Sequence, residues 1–329
     1  MAEKHDDKDT QYEALLNSNF KQQKLSAWRP VPTIASTTIT FIIFGIVFII
    51  IGIIVLIFSN QIREHKIRYD TQCTIDQVCT LEINIEEKLE KPVMVYYQLA
   101  NFYQNHRRYV KSKSNSQLSG ELKTAEDIKS DCEPVYLNKH LHKVYPFEYT
   151  QEYIKELEEK YSETELQAYK LNPEAPANPC GLIAKSLFND TFSFQDSSKS
   201  NIFINETGIA WQSDIDMKYK LNDNYQGKMW VNTTDEHFMV WMRPAGLPNF
   251  RKLWGKVNQD LMPGKYYIVI NNNYPVEKFE GEKYFVLSTV NAFGGKNSFL
   301  GISYICVGGI CLIMALLFFF GYKSHSKTP

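Results

Sequence analysis

Two short groups of residues have side chains that could bind a metal or transfer protons. His140 and His142 are separated by one residue, and Asp235, Glu236 and His237 are consecutive. Imidazole and carboxylate groups are zinc ligands, and histidine also acts as an acid or base near neutral pH. The histidine pair lies in a lysine-flanked stretch typical of a solvated loop, and the acidic group begins a segment that we predict to be a strand. Neither group therefore requires a catalytic explanation.

Sequence motifs of common enzymes are absent. The chain contains no G-x-S-x-G, no H-E-x-x-H and no phosphate-binding P-loop. We therefore predict no catalytic residue, no cofactor and no metal site. The formal net charge of −1 also argues against a nucleic-acid-binding protein, which usually has a basic excess.

A basic cluster is the more interesting candidate for a binding surface. It comprises segment 105–109 (Asn-His-Arg-Arg-Tyr), followed by Lys111 and Lys113. Guanidinium groups bind carboxylates and phosphates through paired hydrogen bonds. Two interpretations remain open, a solvated face of the domain or a contact with acidic loops or phosphate headgroups.

Four cysteines, at positions 73, 79, 132 and 180, lie between two long apolar stretches. They allow three pairings, of which proximity favours Cys73–Cys79 and Cys132–Cys180. A metal site is the alternative, but no Cys-x-x-Cys pair occurs in the chain. We therefore interpret the four cysteines as disulfide partners.

The two apolar stretches indicate transmembrane helices. No residue between Arg29 and Arg63, or between Lys296 and Lys323, is charged. A hydrocarbon core of ~30 Å needs about 20 helical residues, so each stretch is long enough to span it. The predicted organisation is a tail over 1–33, a helix over 34–60, a folded domain over 61–297, a helix over 298–322 and a tail over 323–329.

The orientation follows from modifications that the folded domain could carry. The positive-inside rule gives nearly a tie, because basic residues flank the first helix on both sides. Three N-glycosylation acceptors, Asn189, Asn205 and Asn232, all lie in the central domain. Together with an even number of cysteines, they indicate an oxidising compartment. We expect the domain to be lumenal or extracellular and both tails to be cytosolic.

We predict that the central domain is a mainly antiparallel β-sandwich with helical insertions. Residues 81–85 and 93–99 alternate between apolar and polar side chains and predict a hairpin or two neighbouring strands. Segments 237–243, 266–271 and 284–290 are rich in aromatic and β-branched residues, which favour strands. Residues 149–169 lack proline and glycine and predict one exposed amphipathic helix.

Small residues in the two apolar helices could allow close helix packing. Gly45 and Gly52 are seven residues apart, and Gly301, Gly308 and Gly309 recur in the second helix. Glycine lets helices approach closely in lipid. These glycines predict either a surface that docks on another membrane protein or the mutual packing of the two helices.

Long, unusual segments occur along the chain from residue 21 to about residue 322. They are KQQKLSAWRP (21–30), YYQLANFYQNHRRYVKS (96–112), QLSG (117–120), DCEP (131–134), PCGLIAKSLFNDTF (179–192), IAWQSD (209–214), EHFMVWMRPAGLPNFRKLWG (236–255), YPVEKFEGEKYFVLST (274–289) and GGKNSFLG (294–301). In this order they resemble the accessory β-subunits of type IV P-type ATPases, the lipid flippases, known as the cell-division-cycle-50 or ligand-effect-modulator family.

The resemblance implies a non-catalytic subunit that forms a heterodimer with a catalytic α-subunit. In that family the β-subunit is needed for stability of the α-subunit, exit from the endoplasmic reticulum and phospholipid transport from the exoplasmic to the cytosolic leaflet. The resemblance also implies an integral membrane protein of the endoplasmic reticulum, the Golgi and endosomes, or the plasma membrane. The family also supports the two disulfides favoured by proximity, and Asn189 matches a recurrent glycosylation site. The candidate partner contacts are Trp28, Arg107, Arg108, Arg251 and Lys252.

Two questions remain open at this point. The 44 residues between DCEP and PCG, 135–178, exceed the connection expected in this family, and they form either a specific contact or a decorative excursion. The alternative function is a glycosylated cell-surface adhesion protein or receptor ectodomain. Such a protein would usually have one transmembrane helix and a longer signalling tail.

Overall fold

The computed structural model describes residues 16–24, 32–141 and 144–325. Its strands are β1 (Glu64–Arg68), β2 (Gln77–Ile85), β3 (Val93–Ala100), β4 (Thr191–Gln195), β5 (Asn201–Ile202), β6 (Phe250–Val257), β7 (Gly264–Asn272) and β8 (Glu282–Ser288). Its helices are α1 (Ile34–Gln61), α2 (Arg107–Lys111), α3 (Asn115–Leu118), α4 (Ala125–Cys132), α5 (Gln151–Lys160), α6 (Glu163–Leu166), α7 (Leu182–Lys185), α8 (Gln212–Met217), α9 (Glu236–Trp241) and α10 (Ser298–His325). Short 3-10 turns cover Asn138–His140 and Glu277–Phe279.

The chain forms two compact units. One contains the long terminal helices, through Leu56 and from Ser298, and the other is Ile57–Asn297. Both α1 and α10 are long and apolar enough to cross a membrane. The predicted fold class, two transmembrane helices flanking a mainly antiparallel sheet domain, is therefore confirmed.

The glycines of α1 and α10 pack against the opposite helix. A Cβ atom on Gly45 would lie 3.0 Å from the carbonyl oxygen of Gly308, and one on Gly52 would lie 2.8 Å from that of Gly301. The two helices are thus antiparallel and in contact at these glycines. A Cβ atom on Gly309 would meet no atom of the opposite helix within 4 Å. Mutual packing therefore accounts for four of the five glycines, and docking on another protein is not needed to explain them.

Two four-stranded sheets form the folded unit. Their strand orders are β1-β8-β3-β6 and β2-β7-β4-β5, and every neighbouring pair is antiparallel. Alternate residues of the strands point into a shared core, where the ring centroids of Phe192 in β4 and Phe285 in β8 are 5.3 Å apart. Burial of these apolar faces provides the main driving force for folding, ~25 cal/mol per Å² of apolar surface.

Strands β2 and β3 exist, but the prediction that they are a hairpin or neighbours is wrong. Strand β2 pairs with β7, whereas β3 pairs with β6 and β8 in the other sheet. Alternation specifies which side chains face the core but carries no information about the partner strand. The connection through Leu89, whose N–H donates to Leu261, carries the chain from one sheet to the other.

Segment 237–243 contains the helix α9 and not the predicted strand. The carboxylate of Asp235 accepts a hydrogen bond from the N–H of His237 (3.0 Å) and so caps the first turn. The spacing of Phe238, Trp241 and Met242 places all three on one helical face, and all three are buried. Composition favoured a strand, but the cap and the helical spacing determine the outcome.

The single helix predicted over 149–169 is interrupted. Helix α5 ends at Lys160, and α6 begins after Ser162, whose N–H donates to the Glu165 carboxylate (2.9 Å). This arrangement is a helix start, so it divides the segment. Strands β7 and β8 agree with the predictions for 266–271 and 284–290.

Candidate functional site

The structure contains two disulfides, Cys73–Cys79 and Cys132–Cys180. The second closes the segment that includes 135–178 and is buried in a small cluster with Ile128 and Ala177. Within that segment, the Asn138 side-chain amide donates to the carbonyl of Asn172 (2.9 Å). Its two ends are thus held together by a covalent bond and by hydrogen bonds.

Of the histidine pair, the structure describes His140, which belongs to no group of metal ligands in the described part of the chain. Nδ1 of His140 accepts a hydrogen bond from the N–H of Leu137 (3.2 Å), so the ring completes a local turn. His142 lies outside the described residues. Among residues 16–24, 32–141 and 144–325, no three His, Cys, Asp or Glu side chains are grouped as metal ligands.

The acidic group at 235–237 has structural partners. Asp235 caps α9, and Glu236 accepts hydrogen bonds from three consecutive backbone N–H groups, those of residues 208–210, at 2.7–2.9 Å. Burial raises the pKa of Glu236, but these hydrogen bonds outweigh it, and the pKa lies below its ordinary value. His237 lies 3.0 Å from the Glu206 carboxylate. The group therefore anchors a loop.

The basic cluster is presented by α2. The hydroxyl of Tyr109 lies 2.7 Å from that of Ser186, and the ring contacts the main core, which fixes the helix. Arg107 and Arg108 are exposed, and neither forms an ion pair with any residue that the structure describes. Lys113 is partly buried, and desolvation followed by the charge of Lys218 lowers its pKa. Arg107 and Arg108 remain candidate contacts.

Arg251 and Lys252 differ in availability. Both terminal nitrogens of Arg251 donate to the Glu64 carboxylate at 2.7 Å across the outer face of the first sheet. This hydrogen bonding lowers the pKa of Glu64. Lys252 is 7% exposed and donates to the carbonyls of Val240 and Arg243. Burial, followed by the charge of Arg243, lowers the pKa of Lys252 to about 8.

The structure thus places Lys252 in the interior, where its ammonium binds backbone carbonyls, so it does not serve as an exposed partner contact. Arg251 is partly exposed but already paired. Trp28, the remaining predicted contact, lies outside the described residues.

The three glycosylation acceptors lie on accessible parts of the folded unit. Asn189 is exposed, and Asn205 and Asn232 are partly exposed. The side-chain oxygens of Asn205 and Asn232 each accept hydrogen bonds from the backbone and hydroxyl of the threonine two residues later, at 2.7–3.0 Å. These turns give the two acceptor sites the same local geometry.

A buried ion pair was missed by sequence reasoning. Lys283 and Asp190 have fully buried side chains, and their Nζ and Oδ2 atoms are 2.7 Å apart. The other oxygen of Asp190 accepts from the N–H groups of Asn273 and Tyr274, both at 2.6 Å. One signal was available: the period of two along β8 places Lys283 on the same inward face as Phe285 and Leu287.

The comparisons with known proteins identify one family. Residues 55–328 match the model of the LEM3 (ligand-effect modulator 3) family / CDC50 family. The chain is 35% identical to cell cycle control protein 50A of Bos taurus, with 95% of this chain and 91% of that protein covered. It is 38% identical to ALA-interacting subunit 3 of Arabidopsis thaliana, with 92% and 84% covered. Cell cycle control protein 50B of Homo sapiens is 28% identical, with 90% of each chain covered.

Proposed function

The chain belongs to the LEM3 (ligand-effect modulator 3)/CDC50 family, and we propose that it is the non-catalytic β-subunit of a type IV P-type ATPase. The observation that carries this proposal is the family match over residues 55–328, which covers the end of the first membrane helix, the folded domain and the second membrane helix. The name of the Arabidopsis relative, an interacting subunit, supports a role within a complex. ATP hydrolysis and transport would then depend on catalytic residues of the partner.

We further propose that this subunit stabilises the α-subunit, accompanies it out of the endoplasmic reticulum and supports phospholipid movement from the exoplasmic to the cytosolic leaflet. The folded unit is suited to the role of a rigid binding partner. It has a continuous core contributed by both sheets, two disulfides and an exposed basic helix, α2.

Co-purification tests the proposed function. The full chain, isolated in mild detergent from native membranes at its natural level, should bring down a protein with P-type ATPase sequence. The double change Arg107→Glu, Arg108→Glu should reduce the amount recovered if the exposed guanidinium groups of α2 contact acidic loops. Recovery of the wild-type chain alone would contradict the subunit role and favour the adhesion or receptor alternative.

Glycosylation tests the proposed orientation. We expect endoglycosidase treatment of the chain from a eukaryotic host to increase its electrophoretic mobility, because a lumenal domain exposes its acceptors to the modifying enzymes. Asn189→Gln, Asn205→Gln and Asn232→Gln should each remove part of this shift. A glutamine substitution at Asn201, an exposed asparagine outside any acceptor triplet, is the matched control. No shift in any variant would contradict the evidence for a lumenal orientation.

A further inference from the structure

Trp211 is an exposed aromatic residue, and side-chain hydrogen bonds hold the backbone of the loop just before it. It precedes α8 and is 66% exposed, more than any other tryptophan in the described part of the chain. The carboxylate of Glu236 binds the N–H groups of the three preceding residues, 208–210. Lys256 also donates to the carbonyl of Gly208 (2.7 Å). The loop therefore holds the indole at the surface in a fixed position, at little further entropic cost on binding.

The indole ring is supported from one side by Arg243. The guanidinium carbon of Arg243 lies 4.4 Å from the ring centroid of Trp211. Its Nε atom donates to the Asp214 carboxylate at 2.5 Å, which fixes the guanidinium plane. Its two terminal nitrogens have no hydrogen-bond partner among the residues that the structure describes, and the side chain is 39% exposed. They are therefore available to an external acceptor.

The surface around this pair has an excess of accessible positive charge. Lys218 also binds Asp214 (2.8 Å), whose side chain is only 2% exposed. One buried carboxylate therefore forms ion pairs with two more exposed cations, Lys218 and Arg243. Lys113 adds a third cation nearby. The nearby carboxylate of Glu121 is paired with Lys123 (2.7 Å). On α8 itself, the Asp216 carboxylate accepts a hydrogen bond from Gln212 (2.8 Å).

Two clefts meet at the Asp214–Arg243 pair, which lines both of them. The larger has a volume of about 570 Å³ and includes Lys113, Lys218 and the exposed Met217 in its wall. The smaller, about 250 Å³, is lined by Trp211 and by residues of β6. An extended ligand could therefore occupy both clefts by passing over the Asp214–Arg243 pair, with its part in the smaller cleft in contact with the indole.

We propose that Trp211 and Arg243 are the centre of a docking site for an acidic polypeptide segment, supplied by an extracytosolic loop of the ATPase subunit. Tryptophan and arginine dominate the binding energy of protein interfaces, particularly where they are fixed before binding. The free guanidinium nitrogens provide a fork for a carboxylate, and the indole provides a flat surface for an adjacent apolar side chain. The identity of the partner rests on the proposed function.

Site-specific crosslinking tests this site directly. A photoreactive benzoylphenylalanine replaces Trp211 in the full chain, which is expressed with its ATPase and irradiated in native membranes. The expected product joins position 211 to an ATPase peptide that lies in an extracytosolic loop and contains Asp or Glu. Crosslinks only to lipid, only to a cytosolic ATPase segment, or to no protein would overturn the proposal.

Quantitative co-purification provides a second, independent test. Trp211→Ala should lower the recovered ATPase at least about tenfold, whereas Met262→Ala, an exposed apolar residue before β7, should leave it unchanged. An unaltered thermal midpoint of the isolated chain would exclude misfolding as the cause. Equal recovery with Trp211→Ala and wild type would overturn the docking site but leave the subunit role intact. Absence of the ATPase from the wild-type sample would instead contradict the subunit role.

Discussion

Replacing Asp190 with Asn should reduce the free energy of unfolding of the folded unit by about 3–5 kcal/mol, because an unpaired buried ammonium is left behind. Oδ1 of Asp190 binds two backbone N–H groups, and Oδ2 accepts from Lys283 (2.7 Å) and the hydroxyl of Tyr69 (2.6 Å). An asparagine that keeps the backbone contacts directs its NH₂ group towards the Lys283 ammonium. The thermal midpoint of the purified chain should fall by roughly 10 °C.

Two further variants separate the loss of the ion pair from a general effect of mutation. Asp190→Asn combined with Lys283→Met should reduce the free energy of unfolding by less than the sum of the two single changes, because neither charge then remains buried and unpaired. Glu82→Gln is the surface control, since Glu82 pairs with Lys265 at 2.8 Å but both side chains are about half exposed. It should leave the midpoint essentially unchanged. Strict additivity of the two buried changes would contradict the prediction.

The Asp190 substitution also preserves the neighbouring modification site. The acceptor triplet at Asn189 requires Thr191 and excludes only proline between them, so asparagine at 190 is compatible with glycosylation. A loss of stability can therefore be measured without removing the acceptor. The side-chain amide of Asn273 donates to the backbone carbonyl of Asn189 (3.1 Å), and the backbone N–H of Asn273 donates to Asp190. Asn273 therefore connects the glycosylation acceptor to the buried pair.

The parts of the fold that the sequence predicted are those determined by local patterns. The apolar stretches around α1 and α10 exceed the thickness of a bilayer, and the alternation at β7 and β8 requires one buried face. The partner of β2 could not be predicted in the same way, because any strand with a buried face satisfies its alternation. At α9, a single capping carboxylate and the spacing of three buried side chains outweigh a composition that suits a strand.

The candidate site likewise contains residues that local sequence patterns could indicate and residues whose exposure depends on long-range contacts. Arg107 and Arg108 could be selected from sequence because consecutive arginines on a short polar segment tend to be exposed. Lys252 was also a candidate contact, but it lies on the inward face of β6 and binds carbonyls of the α9 region. Trp211 was missed because its exposure depends on long-range contacts from Glu236 and Arg243. No local pattern indicates that a tryptophan is held at the surface by residues about 30 positions away.

Removal of the Cys132–Cys180 disulfide should destabilise the folded unit more than removal of Cys73–Cys79. The first pair is separated by 48 residues and the second by 6. In the chain-entropy model, closing these loops stabilises the folded state by about 4 and about 2 kcal/mol respectively. We expect the double change Cys132→Ala, Cys180→Ala to lower the thermal midpoint further than Cys73→Ala, Cys79→Ala, when both are measured under oxidising conditions.

The location of the longer bridge strengthens this expectation. Its sulfurs belong to a cluster of four buried residues, separate from the main core, and so small a cluster has little apolar area with which to hold the segment 135–178. Without the bridge, limited proteolysis should cut within 144–178 before it cuts the two sheets. Cys73 instead belongs to the main core, which would retain its packing after the shorter bridge is removed. Equal midpoints for the two double variants, with no early cleavage in 144–178, would show that the segment is held by its hydrogen bonds and not by the disulfide.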